Sequence, residues 1–400
     1  MRIWIQNVRT VDHKTDTMQD VLFENGRIAA LFLGDEPQAD VVIDGRGLVL
    51  MPSFVDLHAH FRDPGYTQKE TLETGAKAAL RGGFTAVCTM ANTNPICDTI
   101  ERWEEIQRRS EALDLIDQYQ ILAVTVGFDG KTLTDLKDVP DGLRFLSDDG
   151  KGILSNQTML EACYGAVQAK LGIMIHAEDP DLSPVDYRVA EEIITIRDLY
   201  LAGYTGAKLH MSHVSTKGCI EAIRIAKEQG VQVTCEVSPH HISLYDLDYR
   251  VNPPIRRKGD VEAIIYGIQD GTVDAIATDH APHTPEDKAA GAPGMVGLET
   301  AFALCYTHLV EPGYIDLKKL SQLLSRNPGR ILGMDHGEIE VGKRADLVLV
   351  DLAKTMEVVP EDFASKCRNT PFEGMKLSGE IVSTFRNGII KYSRRDGFDH

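Results

Sequence analysis

Eight short runs rich in β-branched and apolar residues recur along the chain, at 47–57, 84–90, 120–126, 143–146, 172–175, 208–211, 231–237 and 273–278. Such runs read as buried strands. Between most of them lie amphipathic stretches of helical length, at 71–80, 100–115, 157–170, 185–201, 217–228 and 260–269. The link at 131–138 is weaker, with room for only about two helical turns. Strands alternating with helices build a parallel sheet, and eight is the number that closes into a (β/α)8 TIM-type barrel. An open doubly wound sheet is the competing arrangement. Polar clusters follow the C-terminal ends of the first, fourth, fifth, sixth and eighth runs. Only closure brings all five to a common centre, so the expected fold is an α/β barrel.

The two ends of the chain have a different rhythm. Short alternating runs lie at 3–8 and 21–29, the Glu24-Asn25-Gly26 turn inside the second predicts a hairpin, and 337–351 and 384–392 repeat the style. Two β-rich ends bury their apolar faces best against each other. The expected organisation is therefore a small composite β domain from 1–50 and 337–400, flanking a barrel over 51–336.

The 400 residues, 43% of them hydrophobic, are enough for a large core. Lys and Arg number 42 against 60 acidic residues, and the net charge of −18 repels phosphate backbones and anionic lipid. Neither nucleic acid nor membrane is an expected partner. Apolar runs fall far short of the roughly 18 residues that span a bilayer. The start, Met1-Arg-Ile-Trp-Ile-Gln-Asn7, lacks an apolar signal core and predicts a cytoplasmic protein. Seven scattered cysteines without a C-x-x-C pair read as reduced core residues.

Chemistry concentrates at the strand ends. Asp56-Leu-His-Ala-His-Phe-Arg62 closes the first run, and alternation along a strand puts His58 and His60 on one side, where two imidazoles can share a metal. Alone, an H-x-H serves packing as readily as ligation. Its companions change that reading: Ser147-Asp-Asp-Gly150, His176-Ala-Glu-Asp179, His210-Met-Ser-His213 and Asp279-His-Ala-Pro-His283 end four other strands of the same barrel. Imidazoles mixed with carboxylates suit zinc or a similar divalent ion, and four His with two Asp are enough for two ions sharing a bridge.

These motifs, with Asn92-Thr93-x-Pro95, His213-Val-Ser215 and Asn252-Pro-Pro-x-Arg256, resemble the dihydroorotases of the amidohydrolase superfamily over nearly the whole chain. The likeness is to the bacterial branch with an aspartate, rather than a carboxylated lysine, in the bridging position. No lysine ends a strand between the third and fourth runs, where Lys131 and Lys137 lie. The resemblance implies two Zn2+ per chain, with His58, His60 and Asp279 on one, His176 and His213 on the other, and Asp149 between them. His210, His240, His241 and His280 are left to hold or pack against that set.

The implied reaction is the reversible cyclisation of N-carbamoyl-L-aspartate to L-dihydroorotate plus water in pyrimidine (UMP) biosynthesis. Two dications acidify a bridging water enough to hold hydroxide at neutral pH, and Asp279 is expected to shuttle its proton to and from the ring nitrogen. Arg62, two residues past His60, offers a planar fork for the substrate carboxylate. Asn92, Asn252 and His283 add hydrogen bonds, His60 also borders the substrate, and Pro293 and Gly294 are assigned backbone contacts in the Gly-rich stretch 291–297. Ala91 stands where the family usually has Pro. A homodimer, and an association with aspartate transcarbamoylase, are the macromolecular partners to expect. The alternatives are another cyclic amidohydrolase, of hydantoinase or allantoinase type, and a catalytically silent homologue serving as a scaffold; Arg62 and Asn92 argue against the first, and the complete ligand set against the second.

Overall fold

The computed structural model describes every residue except 33, 35, 36, 399 and 400, which lie in the stretches assigned above to the end domain. Eight parallel strands form two arcs. One joins Phe54–Ala59, Phe84–Thr89 and Asp117–Gln120; the other runs from Phe145–Leu146 through Gly172–Ile175, Lys208–Met211 and Val233–Val237 to Ala275–Ile276. Parallel bridges between Leu122 and Leu146 and between Ala59 and His280 join the arcs on both sides and close the barrel. Its interior is filled by Val55, Leu57, Ala86, Cys88, Met174 and Ala275, so the centre is a packed core. The helices Leu72–Arg81, Ile100–Leu113, Asn156–Ala169, Tyr187–Thr205, Lys217–Glu228 and Lys258–Asp270 follow the expected amphipathic stretches. Side chains of Thr71, Thr99, Ser155, Asp186 and Thr216 cap five of their N-termini.

A nine-stranded sheet takes strands from both ends of the chain. Its middle pairs Val49–Pro52 with Leu347–Glu357 and with Arg2–Val11. Two of its hairpins turn on Asn25-Gly26 and Asn387-Gly388, all four residues at positive φ, as a two-residue turn matched to strand twist requires. Ile3, Ile5, Phe23, Leu50, Leu347 and Phe385 form a core of its own.

Three local expectations are corrected. The run at 47–57 is two strands: Val49–Pro52 belongs to the terminal sheet, and the barrel begins at Phe54, after buried Ser53. The third barrel strand is Asp117–Gln120, ahead of most of the apolar run at 120–126. Asp148 explains why that run leaves the sheet, because its carboxylate accepts the Val124 and Thr125 amides at 2.7 and 3.0 Å. The stretch 131–138 forms no helix, only a loop bridged from Leu133 to Thr125.

Candidate active site

The first barrel strand carries one residue more than its neighbour between the Asp56–Val87 and Ala59–Thr89 pairs. Such a bulge re-aims side chains, and here His58 and His60 stand with ring centroids 5.3 Å apart at the C-terminal mouth. Asp56 ties this strand to the eighth, accepting the Thr278 amide and hydroxyl at 2.9 and 2.6 Å. Asp279 follows at φ 49°, a left-handed turn that ends the strand. His60 Nε2 lies 3.3 Å and His58 Nε2 3.7 Å from its carboxylate.

Asp149 faces four imidazoles at once. His58 Nε2 is 3.3 Å, His60 Nε2 3.5 Å, His176 Nδ1 3.5 Å and His213 Nε2 3.6 Å from its carboxylate. Its neighbour Asp148 points away, to the 124–125 backbone. Two three-residue groups, His58 with Asp149 and His213, and His58 with His60 and Asp279, bring ligand atoms close enough for one ion each. His176 joins them through His213, ring nitrogens 3.0 Å apart.

The far nitrogens of His58, His60 and His176 are occupied in a way that aims the near ones inward, whereas His213 Nδ1 is buried without a partner. His58 Nδ1 meets Glu236 at 3.1 Å, and Glu236 also holds His210 Nε2 at 2.9 Å. Burial favours neutral Glu236, yet His210 and His58 bring it down to about 2. Asn92 Oδ1 takes His60 Nδ1 at 2.9 Å, and Glu178 takes His176 Nε2 at 3.0 Å. A carboxylate or amide behind a ligating imidazole fixes its tautomer and orientation. The sequence places Glu178 in the motif His176-Ala-Glu-Asp179 without assigning it a role, and does not single out Glu236. The available signal for Glu236 was a carboxylate inside the buried run at 231–237.

The electrostatics call for cations. Burial would raise Asp149, but His58, with His176 and His213 beside it, holds it well below the carboxylate range; Asp279, raised by burial, is likewise held low by His60 and His58. His58 rises well above the imidazole range despite burial, because of Asp149, and His176 reaches about 9 against burial through Asp149 and Glu178. His58 Nε2 and Asp149 Oδ1 are buried, face each other and make no hydrogen bond. Buried carboxylates and ring nitrogens left unpartnered are costly. The donor set therefore fits divalent metal.

The other candidates border the same cavity, of about 200 Å³: Arg62, Asn92, Asn252, His283, Pro293 and Gly294 all line it. Arg62 gets there by a route that strand alternation does not describe. The strand ends at Ala59, and Arg62 has φ 58°, a left-handed kink that swings its guanidinium to within 3.3 Å of His283 Nε2. Its Nε is buried without a partner. Asn252 does not directly follow a strand; it lies on the loop before Lys258–Asp270, where Glu178 accepts its Nδ2 at 2.8 Å. Burial, Arg62 and Lys69 push His283 down to about 3, so it is neutral. His210, His280 and His241 are engaged by Glu236, Glu70 and the Pro253 carbonyl, away from the cavity.

A closed barrel with a cluster of His and Asp at its C-terminal mouth, flanked by a terminal β sheet, is the arrangement of a metal-dependent hydrolase, and residues 49–390 match the amidohydrolase family: the chain belongs to it. Solved structures agree on the fold. An L-hydantoinase (dihydropyrimidinase) from Arthrobacter aurescens superposes with TM-score 0.90 at 23% identity, covering 100% of this chain and 97% of its own. A dihydropyrimidinase from Brevibacillus agri NCHU1002 gives 0.85 at 22%, covering 100% and 96%. Sequence relatives narrow the class. A dihydroorotase of Clostridium botulinum (strain Eklund 17B / Type B) is 49% identical over 98% of this chain and 100% of its own. One of Caldanaerobacter subterraneus subsp. tengcongensis is 40% identical over 100% and 99%. Within the family the chain stands among the dihydroorotases, metal-dependent hydrolases of cyclic amides.

Proposed function

We propose that the barrel mouth interconverts N-carbamoyl-L-aspartate and L-dihydroorotate in pyrimidine biosynthesis, with Asp279 moving the proton. The observation that carries this is the placement of Arg62, Asn92 and Asn252 around one cavity with the His and Asp cluster. Two Zn2+ per chain are part of the proposal: His58, His60 and Asp279 on one, His176 and His213 on the other, Asp149 shared. Bound there, such ions supply an acidified water and a Lewis acid for the scissile carbonyl.

The chain's own groups account for the rest. Arg62 presents its fork to the substrate carboxylate. Asn92 has its oxygen committed to His60, leaving its NH2 to donate to the same carboxylate. Asn252 is the reverse: its NH2 is committed to Glu178, while its buried oxygen has no partner and accepts a substrate N–H. The two asparagines thus read opposite sides of the substrate, oxygen at one end and N–H at the other. His283, neutral beside Arg62, adds a hydrogen bond without competing for the carboxylate's charge. The backbone at Pro293 and Gly294 closes the cavity wall. Asp279, ionised beside His60, takes a proton from water in hydrolysis and delivers it to the leaving ring nitrogen; in closure it takes that proton back.

The test is metal analysis coupled to dihydroorotate hydrolysis, with hydantoin and allantoin as competing substrates. Turnover of those in preference to dihydroorotate would replace this reading. Arg62→Lys keeps the charge and loses the two-pronged geometry. Its expected kcat/KM is lower by roughly tenfold to a hundredfold, from a charge-assisted bond of about 1.5–3 kcal/mol. Metal content should be unchanged. Unaltered kinetics would place the carboxylate elsewhere.

The composite β domain from 1–50 and 337–400 around a barrel from 51–336 is proposed with it, supported by the separate core of the terminal sheet. A cytoplasmic location is supported by seven buried, unpaired cysteines; no helix among the described residues is long and apolar enough to cross a membrane.

A homodimer is supported by the helix Tyr187–Thr205. Every exposed residue on it is uncharged: Val189, Ile193, Ile196, Tyr200, Gly203 and Tyr204. Ile196 is 55% and Tyr200 74% exposed. Copies that each carry −18 approach best on a face whose most exposed residues are uncharged. Antiparallel pairing about Ile193 and Ile196 sets Val189 against Tyr200, a self-complementary fit. Ile196→Glu is expected to convert a sedimenting dimer to monomer with Tm nearly unchanged, since surface substitutions cost little. A monomeric parent protein, or a variant that remains dimeric, would remove this interface. Association with aspartate transcarbamoylase is supported by the shared metabolite and is tested by co-sedimentation of the two purified enzymes.

A further inference from the structure

Asn369 lies between the strands Leu347–Glu357 and Lys376–Arg386, outside the barrel, yet reaches over its mouth. Its side chain binds both arms of the segment 281–296. Oδ1 accepts the His283 amide at 3.0 Å, and Nδ2 donates to the Ala281 and Gly294 carbonyls, each at 3.1 Å. Its own carbonyl accepts the Val296 amide at 2.9 Å. The two arms also meet directly, Ala281 N donating to Met295 O at 2.7 Å.

The fit leaves no slack. Gly294 has φ 130°, and a Cβ there would stand 2.7 Å from Ala281 Cβ and 3.2 Å from His283 Cδ2. Backbone this close needs a tie at the crossing point, because loop conformations otherwise multiply at low cost. Only a carboxamide supplies an acceptor for one amide and donors for two carbonyls from one planar group.

We propose that Asn369 is a positioning residue, holding His283 and Gly294 in register so that both face the substrate. The residue does not touch the cavity itself; it acts through the two arms. The proposal rests on the dihydroorotase reading for what the arms bind, and on geometry alone for what Asn369 does to them.

Asn369→Asp keeps the volume and the acceptor for His283 but turns an oxygen toward two carbonyls. Asn369→Ala removes all three side-chain bonds. Both variants are expected to raise the KM for dihydroorotate by about tenfold, with kcat within about threefold and metal content equal to the parent. Hydrogen exchange over 281–296 should speed by about tenfold while the helix Leu72–Arg81 exchanges as before. An unchanged KM in both variants, or unchanged exchange over 281–296 in both, overturns the proposal. The exchange measurement uses no substrate, so it stands even where the parent protein fails to turn over dihydroorotate; that second failure would count against the functional reading alone.

Discussion

Asp279→Asn is expected to lower turnover by about 10²- to 10⁴-fold in both directions, the range for loss of a positioned general acid–base group. Asn keeps the size and an oxygen toward the metal but accepts no proton. Substrate should still bind, because Arg62, Asn92 and Asn252 lie on other elements of the cavity wall. The pH dependence has a definite sign. Ring opening converts an amide to a carboxylate and releases a proton, so hydrolysis is favoured as pH rises; Asp279, held well below the carboxylate range, is already ionised across the neutral window. Closure takes up that proton and rises as pH falls. Initial rates in both directions across neutral pH, on parent and variant, make the check. Near-normal turnover by Asp279→Asn with metal bound would transfer the proton to another group, and His283 is the next candidate by position.

The second large effect concerns Asp149. Metal analysis after exhaustive dialysis should give two divalent ions per chain, and Asp149→Ala should give one or none, with turnover down by at least about 10²-fold. The reason is charge balance. Among the described residues Asp149 is the one carboxylate within 3.6 Å of all four imidazoles, and without it Asp279 is the remaining carboxylate of the proposed ligand set. A chelator should remove activity from the parent and zinc should restore it. One ion with full turnover in the parent, or two ions in Asp149→Ala, would take Asp149 out of its shared position.

Much of this is legible in the amino-acid sequence. The strand and helix periods gave the barrel, because burial on one face imposes a repeat that short windows of sequence display. The helices at 71–80, 217–228 and 260–269 appear within a few residues of their expected places. The Asn25-Gly26 turn is legible because two adjacent positive φ values favour few residue types. The third strand was misplaced because Asp148, distant in sequence, takes the amides of the apolar run.

The supporting groups follow the same rule. His58 and Glu236 are 178 positions apart, Thr278 and Asp56 222, and His283 and Asn369 86. Nothing local in a chain announces such a pair. Arg62 shows the limit at short range: its side chain reaches the expected cavity through a left-handed kink, which its spacing of two from His60 does not reveal.

By itself, then, the sequence determined the barrel rhythm, the β-rich ends and the residue types gathered at the strand ends, since these follow from local burial and backbone preference. Only the tertiary structure decided which nitrogen of each histidine faces the centre, which side of each asparagine is left for substrate, and what holds the loop above them. Those choices depend on hydrogen bonds between segments far apart in the chain, and such bonds exist only once the barrel has closed.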